Sequence, residues 1–267
     1  MQIIVINMPS ATRRKERILS ILNSMHLECV ILRAIDGKID AEKARKGFIN
    51  QSTMLLSDGE FGCMLSHIKA WEIIANCEKQ QPYLILEDDV YFASNFKNLL
   101  QKIKILPDSV GIFRLETMLA RVEIARKIQQ TVEQKYQFHQ LYSNHAGAAA
   151  YILNNKTAKF LLQEAPKLTR AIDTELFDPN RRNISPFPVY QCIPSPCIQV
   201  TLLKDKTLSA ELTSQISGRE DSYLMPQKKA GKFVNILKIL LRPFYLFCVS
   251  QILRRKGRAR VHVPFDS

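Results

Sequence analysis

The sequence predicts an α/β fold, a doubly wound mixed sheet with helices on both faces, and three observations carry that prediction. Short apolar runs and amphipathic stretches alternate along the chain, the pattern of a layered α/β domain. Two of the runs, Gln2–Asn7 and Tyr83–Leu86, are apolar almost throughout rather than alternating, as strands buried on both faces are. The second run continues into Glu87, Asp88 and Asp89, so a buried strand delivers three carboxylates to one edge of the sheet.

Size and charge set the frame. A chain of 267 residues with 46% hydrophobic content has enough apolar surface for one large core or two small ones. The net charge of +13 is unevenly spread: residues 228–267 hold ten Lys/Arg against Asp266 alone, and the first 227 residues carry only +4. That contrast divides the chain into a globular domain, 1–227, and a basic tail, 228–267, and assigns any anionic partner to the tail. Six scattered cysteines show no CxxC pair and no metal-type spacing, as expected of reduced thiols in a cytosolic protein. The apolar start is too short for a signal-peptide core and has no basic residues before it, so no export signal is expected.

Taken in order, Gln2–Asn7 reads as the first strand, and Ser10 or Thr12 as the cap of a helix that opens on Arg13 and Arg14. Cations in a first turn oppose the helix dipole, so this pair is either a site for an anion or a solvated charged face. Ile18, Ile21, Leu22 and Met25 recur at helical spacing and face the sheet. Cys29–Ile35 reads as the second strand and ends in Asp36-Gly37, a turn dipeptide at a strand's carboxyl end, where an acid can hold a ribose hydroxyl. Ser57 and Glu60 have capping-box spacing and open a largely buried helix through Ser66, His67 and Trp71. His67 is then either a ligand contact or a core histidine with its partners satisfied.

Beyond the acidic strand, Tyr91–Leu106 reads as an amphipathic helix, Val110–Leu115 as a strand, and the charged, Gln-rich section 116–140 as a loop over the site or a loosely packed helix. His145 opens a run of small residues before a strand ending at Leu153, with Asn154 or Asn155 capping the next helix. Ala171–Phe177 brings two further carboxylates, Asp173 and Glu175, and Val189–Ile193 reads as another strand. In the tail, Phe233–Leu253 is long enough to span a bilayer, but Lys238, Arg242 and Pro243 near its middle make spanning costly. It reads instead as an interfacial anchor for anionic lipid headgroups, or as a helical hairpin packed on the body. It lacks groups arranged to read bases, so no nucleic-acid partner is expected.

The acidic triplet needs a positive counterpart. Three adjacent carboxylates repel one another, and a hard divalent cation with a phosphorylated ligand in its other positions offsets that repulsion. A solvated acidic turn is the plainer reading of the triplet alone.

Its neighbours decide between the two. Arg13-Arg14, Ala34-Ile35-Asp36-Gly37, the block from Leu56 to His67, the block Leu86–Val90 and the run Gly147–Leu153 together resemble glycosyltransferase family 25, the lipopolysaccharide and lipooligosaccharide galactosyltransferases and their relatives, over about residues 2–200. The resemblance implies a GT-A-like fold in a Gram-negative bacterium, a UDP-sugar donor, usually UDP-galactose, and a Mn²⁺ or Mg²⁺ ion. It also implies inversion at the anomeric carbon and a lipid-linked oligosaccharide acceptor. On this reading Glu87-Asp88-Asp89 is a version of the DxD motif, with Asp89 and Glu87 as metal ligands. Arg13, Arg14, Asp36, Gly37, Glu60, Ser66, His67, Asp88 and His145 fall in matching blocks around the donor, without distinct roles for the two histidines. An inverting transfer needs a base opposite the leaving group, for which the candidates are Asp173 and then Glu175.

The expected protein is therefore cytoplasmic, peripheral to the inner membrane through residues 228–260, and transfers galactose or glucose. Two rivals are a metal-dependent phosphoester hydrolase, which would want a second cluster of metal ligands that the sequence does not offer, and a non-catalytic membrane-surface adaptor organised by the basic tail.

Overall fold

The computed structural model describes residues 1–39, 56–105, 110–179, 187–203 and 249–266. Strand β1 (Gln2–Asn7) lies parallel to β2 (Cys29–Arg33) on one side and to β3 (Pro82–Glu87) on the other. The chain leaves β1 through helix α1 (Thr12–Ser24) to reach β2, and returns through α2 (Asp58–Asn76) to reach β3. Successive side chains of β1 point to opposite faces. Ile3 and Val5 share a core with Ile18 and Leu22 of α1, whereas Ile4 and Ile6 share the other core with Phe61, Met64 and Trp71 of α2. The two crossovers therefore cover opposite faces, and β1 and β3 form a switch point whose carboxyl ends open a crevice.

The sheet continues past β3 through β9 (Ala150–Asn154), which is antiparallel to both β3 and β5 (Ile112–Arg114). Then come β10 (Val189–Ile193), β8 (Tyr136–Leu141), β7 (Arg121–Val132) and, at the edge, β12 (Arg258–His262), giving nine strands in a mixed sheet. A small second sheet sets β4 (Val90–Phe92) beside β11 (Cys197–Gln199) and β6 (Glu116–Thr117). Helix α3 (Phe96–Lys102) joins the α1 face, and α4 (Asn155–Glu164) and α5 (Ile172–Phe177) join the α2 face.

Several expectations are met residue for residue: β1 and β10 have the bounds read from sequence, Ser57 and Glu60 form both halves of a capping box, and Asn154 caps α4 through the Thr157 N–H. Others are corrected. Helix α1 is preceded by Ala11 with no side-chain cap, so neither Ser10 nor Thr12 caps it. Tyr91–Phe92 is strand rather than helix, because β11 pairs with it, and helix begins only at Phe96. The section 116–140 is neither a loop over the site nor a helix: it holds β6 and then the hairpin β7–β8, turned by Glu133 and Gln134 at positive φ.

The end of the chain differs too. Residues 258–266, expected in the tail, belong to the body: β12 pairs with β7, Val263 is fully buried, and Asp266 N–H donates to the Ser195 carbonyl at 2.9 Å. Arg258 stacks over the Tyr142 ring and pairs with Glu123 at 2.8 Å, so part of the basic charge is spent inside the fold. The amphipathic stretch 228–248 lies outside the described residues.

Candidate active site

The carboxyl ends of β1, β2 and β3 and the amino ends of α1 and α2 enclose a cleft of about 520 Å³. Its floor is the acidic triplet. Asn7, the last residue of β1, donates through Nδ2 to Asp88 Oδ2 at 2.6 Å and to the Ala11 carbonyl at 3.2 Å, tying strand, helix start and acid together. Arg14 Nη1 lies 3.3 Å from Asp88 Oδ1. Burial pushes the Asp88 carboxyl above its ordinary range, with Arg14 and Asn7 opposing the shift. Asp89 is pushed further, to about 7, first by burial and then by Glu87 and Asp88. Its Oδ1 is buried without a protein hydrogen-bond partner. Beneath it, Arg17 donates from Nη1 to the Val90 carbonyl at 3.0 Å, and burial lowers its pKa against the pull of Asp89.

One wall is the turn after β2. Ser66 Oγ accepts from the Ile35 N–H at 2.9 Å and donates to the Gly62 carbonyl at 2.7 Å, which locks this turn to α2. The approach is close enough to exclude side chains: a Cβ on Gly37 would sit 1.6 Å from the Asp58 carbonyl oxygen. Asp36 Oδ1 accepts from the Lys38 N–H at 2.9 Å and so shapes its own turn at the cleft's rim.

The opposite wall centres on Glu87. Its Oε1 lies 3.8 Å from Cys63 Sγ and 3.4 Å from His67 Nε2, and its Oε2 accepts from Gln199 Nε2 at 3.5 Å. His67 is wholly buried; its Nδ1 meets the Tyr151 hydroxyl at 2.8 Å, which accepts from Trp71 Nε1 at 3.0 Å. Cys63 and His67 are four residues apart on α2 and so share a face. Cys63, His67 and Glu87 offer ligand atoms within 4.8 Å of one another, a grouping that the spacing of the cysteines alone does not reveal.

Behind this wall lies a buried charged network. Arg114 donates to the carbonyls of His145 and Ala146 and, at 2.9 Å, to Glu116 Oε1. Glu116 Oε2 accepts from the Ala149 N–H at 3.1 Å, and the Ala149 carbonyl accepts from the Glu87 N–H at 2.9 Å. Burial raises Glu116 to about 8 against the pull of Arg114. The small-residue run is thus clamped from both sides, and Gly147, at φ +86, is where a Cβ would come within 2.3 Å of Glu116 Oε1. The Gly147 N–H donates to Asp173 Oδ2 at 2.9 Å. A small cavity of about 20 Å³, whose lining includes Glu87, Cys63, Ala148, Asp173 and Gln199, brings Asp173 beside Glu87.

Of the residues singled out from sequence, Arg14, Asp36, Gly37, Ser66, His67, Glu87, Asp88 and Asp89 line the one cleft. The rest do not. Arg13 is exposed and does not line it. Glu60 is held by its capping box, accepting from the Ser57 N–H at 3.0 Å, and reaches only the small cavity. His145 lies outside the cleft, its Nδ1 3.1 Å from Gln191 Oε1, and burial together with Arg114 lowers its pKa to about 3. Glu175 accepts from the N–H groups of Thr169 and Arg170, both at 2.9 Å, and lines neither cavity. Asn7, Arg17, Arg114, Glu116 and Gln199 escaped sequence reasoning because contacts distant in sequence define them. Cys63 was legible through its i, i+4 spacing to His67.

Comparison with known proteins places the sequence in a family. The sequence profile of glycosyltransferase family 25, described as LPS biosynthesis protein, matches residues 1–176. The Haemophilus influenzae lipooligosaccharide biosynthesis protein lex-1 is 28% identical over 56% of this chain, which spans 52% of that protein. The Neisseria gonorrhoeae lacto-N-neotetraose biosynthesis glycosyltransferase LgtE is 29% identical over 74% of each chain. Human procollagen galactosyltransferase 2 is 31% identical over 49% of this chain and 22% of its own length. With two thirds of its length matched by that profile, across the strands and helices that build the cleft, the chain belongs to glycosyltransferase family 25.

Proposed function

We propose that the protein transfers galactose, or glucose, from a UDP-sugar to a terminal sugar of a lipooligosaccharide or lipopolysaccharide acceptor, with inversion and with a Mn²⁺ or Mg²⁺ ion in a GT-A-like site. The observation that carries this reading is the convergence of Glu87, Asp88, Asp89, Arg14 and Asp36 on one cleft at the switch point of the sheet. The name of human procollagen galactosyltransferase 2 supports the sugar, and those of lex-1 and the family support the acceptor class.

The donor set fits a hard cation. Asp89 presents a buried oxygen with no protein hydrogen-bond partner, and burial first, then the charges of Glu87 and Asp88, push its carboxyl up to about 7. On this reading Asp89 and Glu87 ligate the ion, which when bound would neutralise charge on the departing diphosphate. Arg14 adds positive charge on the same side, and Asp36 meets the nucleoside. Asn7 and Arg14 hold Asp88 in place. Asp173 takes the acceptor hydroxyl's proton: its carboxylate is fixed by the N–H groups of Gly147 and Thr174, at 2.9 and 2.7 Å, and faces the small cavity beside Glu87. The exposed Arg254, Arg255, Lys256 and Arg260 hold the enzyme at anionic headgroups on the inner membrane's cytoplasmic face. Among the described residues no helix is long and apolar enough to cross a membrane.

The test is calorimetric titration with UDP-galactose, UDP-glucose and UDP, with Mn²⁺ and with a chelator. Donor affinity should fall on the order of 100-fold without metal and in a folded Asp89→Asn variant. Asp173→Asn should keep donor affinity and lose on the order of 100-fold or more in kcat. Equal donor binding with chelator and in Asp89→Asn would overturn the reading.

A further inference from the structure

The cleft contains a second ligand set that the acidic triplet does not explain. Cys63 Sγ, His67 Nε2 and a Glu87 oxygen lie within 4.8 Å of one another, with 3.8 Å between sulfur and Glu87 Oε1 and 3.4 Å between nitrogen and the same oxygen. Around a tetrahedral zinc, whose bonds run about 2.0–2.3 Å, neighbouring ligand atoms stand roughly 3.3–3.8 Å apart. Two of the pairs already have that spacing. We propose that Cys63, His67 and Glu87 form a site for a thiophilic divalent ion of the Zn²⁺ class, distinct from the hard-cation site at Asp89.

Two elements hold the three ligands for this role. Cys63 and His67 sit one turn apart on α2, so their side chains share a face without any backbone adjustment. Glu87 ends β3, where its N–H is fixed by the Ala149 carbonyl at 2.9 Å. The imidazole is oriented through its other nitrogen: Nδ1 is 2.8 Å from the Tyr151 hydroxyl, and Trp71 Nε1 anchors that hydroxyl at 3.0 Å. Such a partner sets the ring angle of metal-binding histidines, and with the proton on Nδ1 it leaves Nε2 as a lone pair facing Glu87. All three residues also line the open cleft, which gives an ion a path in and leaves a fourth position for water or substrate, the arrangement of an open rather than a closed zinc site.

Ligand chemistry separates the two sites. A thiolate with an imidazole selects a soft or borderline ion, whereas Asp88 and Asp89 offer only the oxygens that Mg²⁺ and Mn²⁺ prefer. Binding forms an S–Zn bond and releases the Cys63 thiol proton to solvent. Glu87 belongs to both sets. On the functional reading proposed above, a Zn²⁺ ion there withdraws Glu87 from the hard-cation site and obstructs the donor, so the enzyme is inhibited by Zn²⁺ while it is activated by Mn²⁺.

The experiment titrates the full chain, kept reduced, with Co²⁺ and then Zn²⁺. Cobalt should give a thiolate-to-metal charge-transfer band in the near ultraviolet, bleached by one equivalent of Zn²⁺. Cys63→Ser and His67→Gln should each weaken Zn²⁺ binding on the order of 100-fold, while Cys29→Ser leaves it unchanged. Asp89→Asn should retain Zn²⁺ binding even though it loses the Mn²⁺-dependent donor binding, which separates failure of this site from failure of the transferase reading. Absence of the charge-transfer band in the wild-type protein, or undiminished Zn²⁺ affinity in folded Cys63→Ser, would overturn the proposal. The band is read on the unmodified chain, so the test stands even where a variant does not fold.

Discussion

Gly147 joins the small-residue run to the chemistry. Its φ of +86 suits glycine, and a Cβ there would meet Glu116 Oε1 at 2.3 Å. Gly147→Ala should therefore cost about 2 kcal/mol or more, since backbone strain and displacement of a buried carboxylate add; a urea midpoint unchanged from wild type would refute it. His145, buried nearby, predicts a pH dependence. Its folded-state pKa is lowered to about 3 by burial and by Arg114, below the usual 6.5. The unfolded chain therefore binds a proton that the folded chain refuses between those values, and stability is lost as pH falls through that window. Between pH ~7.5 and ~5.5 the loss attributable to this residue is about 1.3 kcal/mol. Asp89 and Glu116, both raised, act in the opposite direction, so the difference between wild type and His145→Gln at the two pH values isolates the effect. A difference that does not change with pH would refute it.

At the scale of elements, the helix that carries Cys63, Ser66 and His67 is positioned by its first turn. Ser57 accepts from the Glu60 N–H and Glu60 accepts from the Ser57 N–H, while Gly37 packs on the Asp58 carbonyl. Ser57→Ala should cost about 1 kcal/mol, read by thermal unfolding, and should weaken donor binding more than it slows the chemical step. A changed kcat with unaltered donor affinity would contradict this placing of the cap. This element was readable in sequence because its signal is local: a capping box and then apolar residues at helical spacing. β1 and β3 were readable for the same reason, each a buried run. The hairpin β7–β8 was not, although Val122 and Ile124 alternate inward, because Arg126–Gln129 is exposed and hides the period. The strand Val90–Phe92 was missed because it exists only through its partner Cys197–Gln199, distant in sequence.

The same limit governs the whole molecule, where the sequence divides by charge and the fold divides by contact. The acidic triplet, Arg14, Asp36 and His67 share one cleft because the strands of one parallel set and the helices that connect them carry all of these residues. Arg114 and Glu116 were missed because a buried ion pair carries no periodic signature. The basic end was misdivided for a related reason: Val261 and Val263 sit among Arg258, Arg260 and His262, so local charge outweighs the two apolar positions that pair and pack. Removing residues 228–267 would therefore take away an edge strand, the buried Val263, worth about 2 kcal/mol by itself, and the contacts of Ser195 with Pro264 and Asp266. Such a truncation tests folding before it tests membrane binding. The cleaner experiment keeps the chain intact and changes the exposed Arg254, Arg255, Lys256 and Arg260 together to Gln. Each cation near an anionic bilayer is worth about 1 kcal/mol, so the fourfold variant should bind vesicles containing anionic lipid at least about 100-fold more weakly. Its melting temperature and its turnover of a soluble acceptor should stay at wild-type levels, because none of the four lies in the core or the cleft. Undiminished vesicle binding would move the membrane contact to another surface, and a lowered melting temperature would mean that these cations stabilise the fold instead.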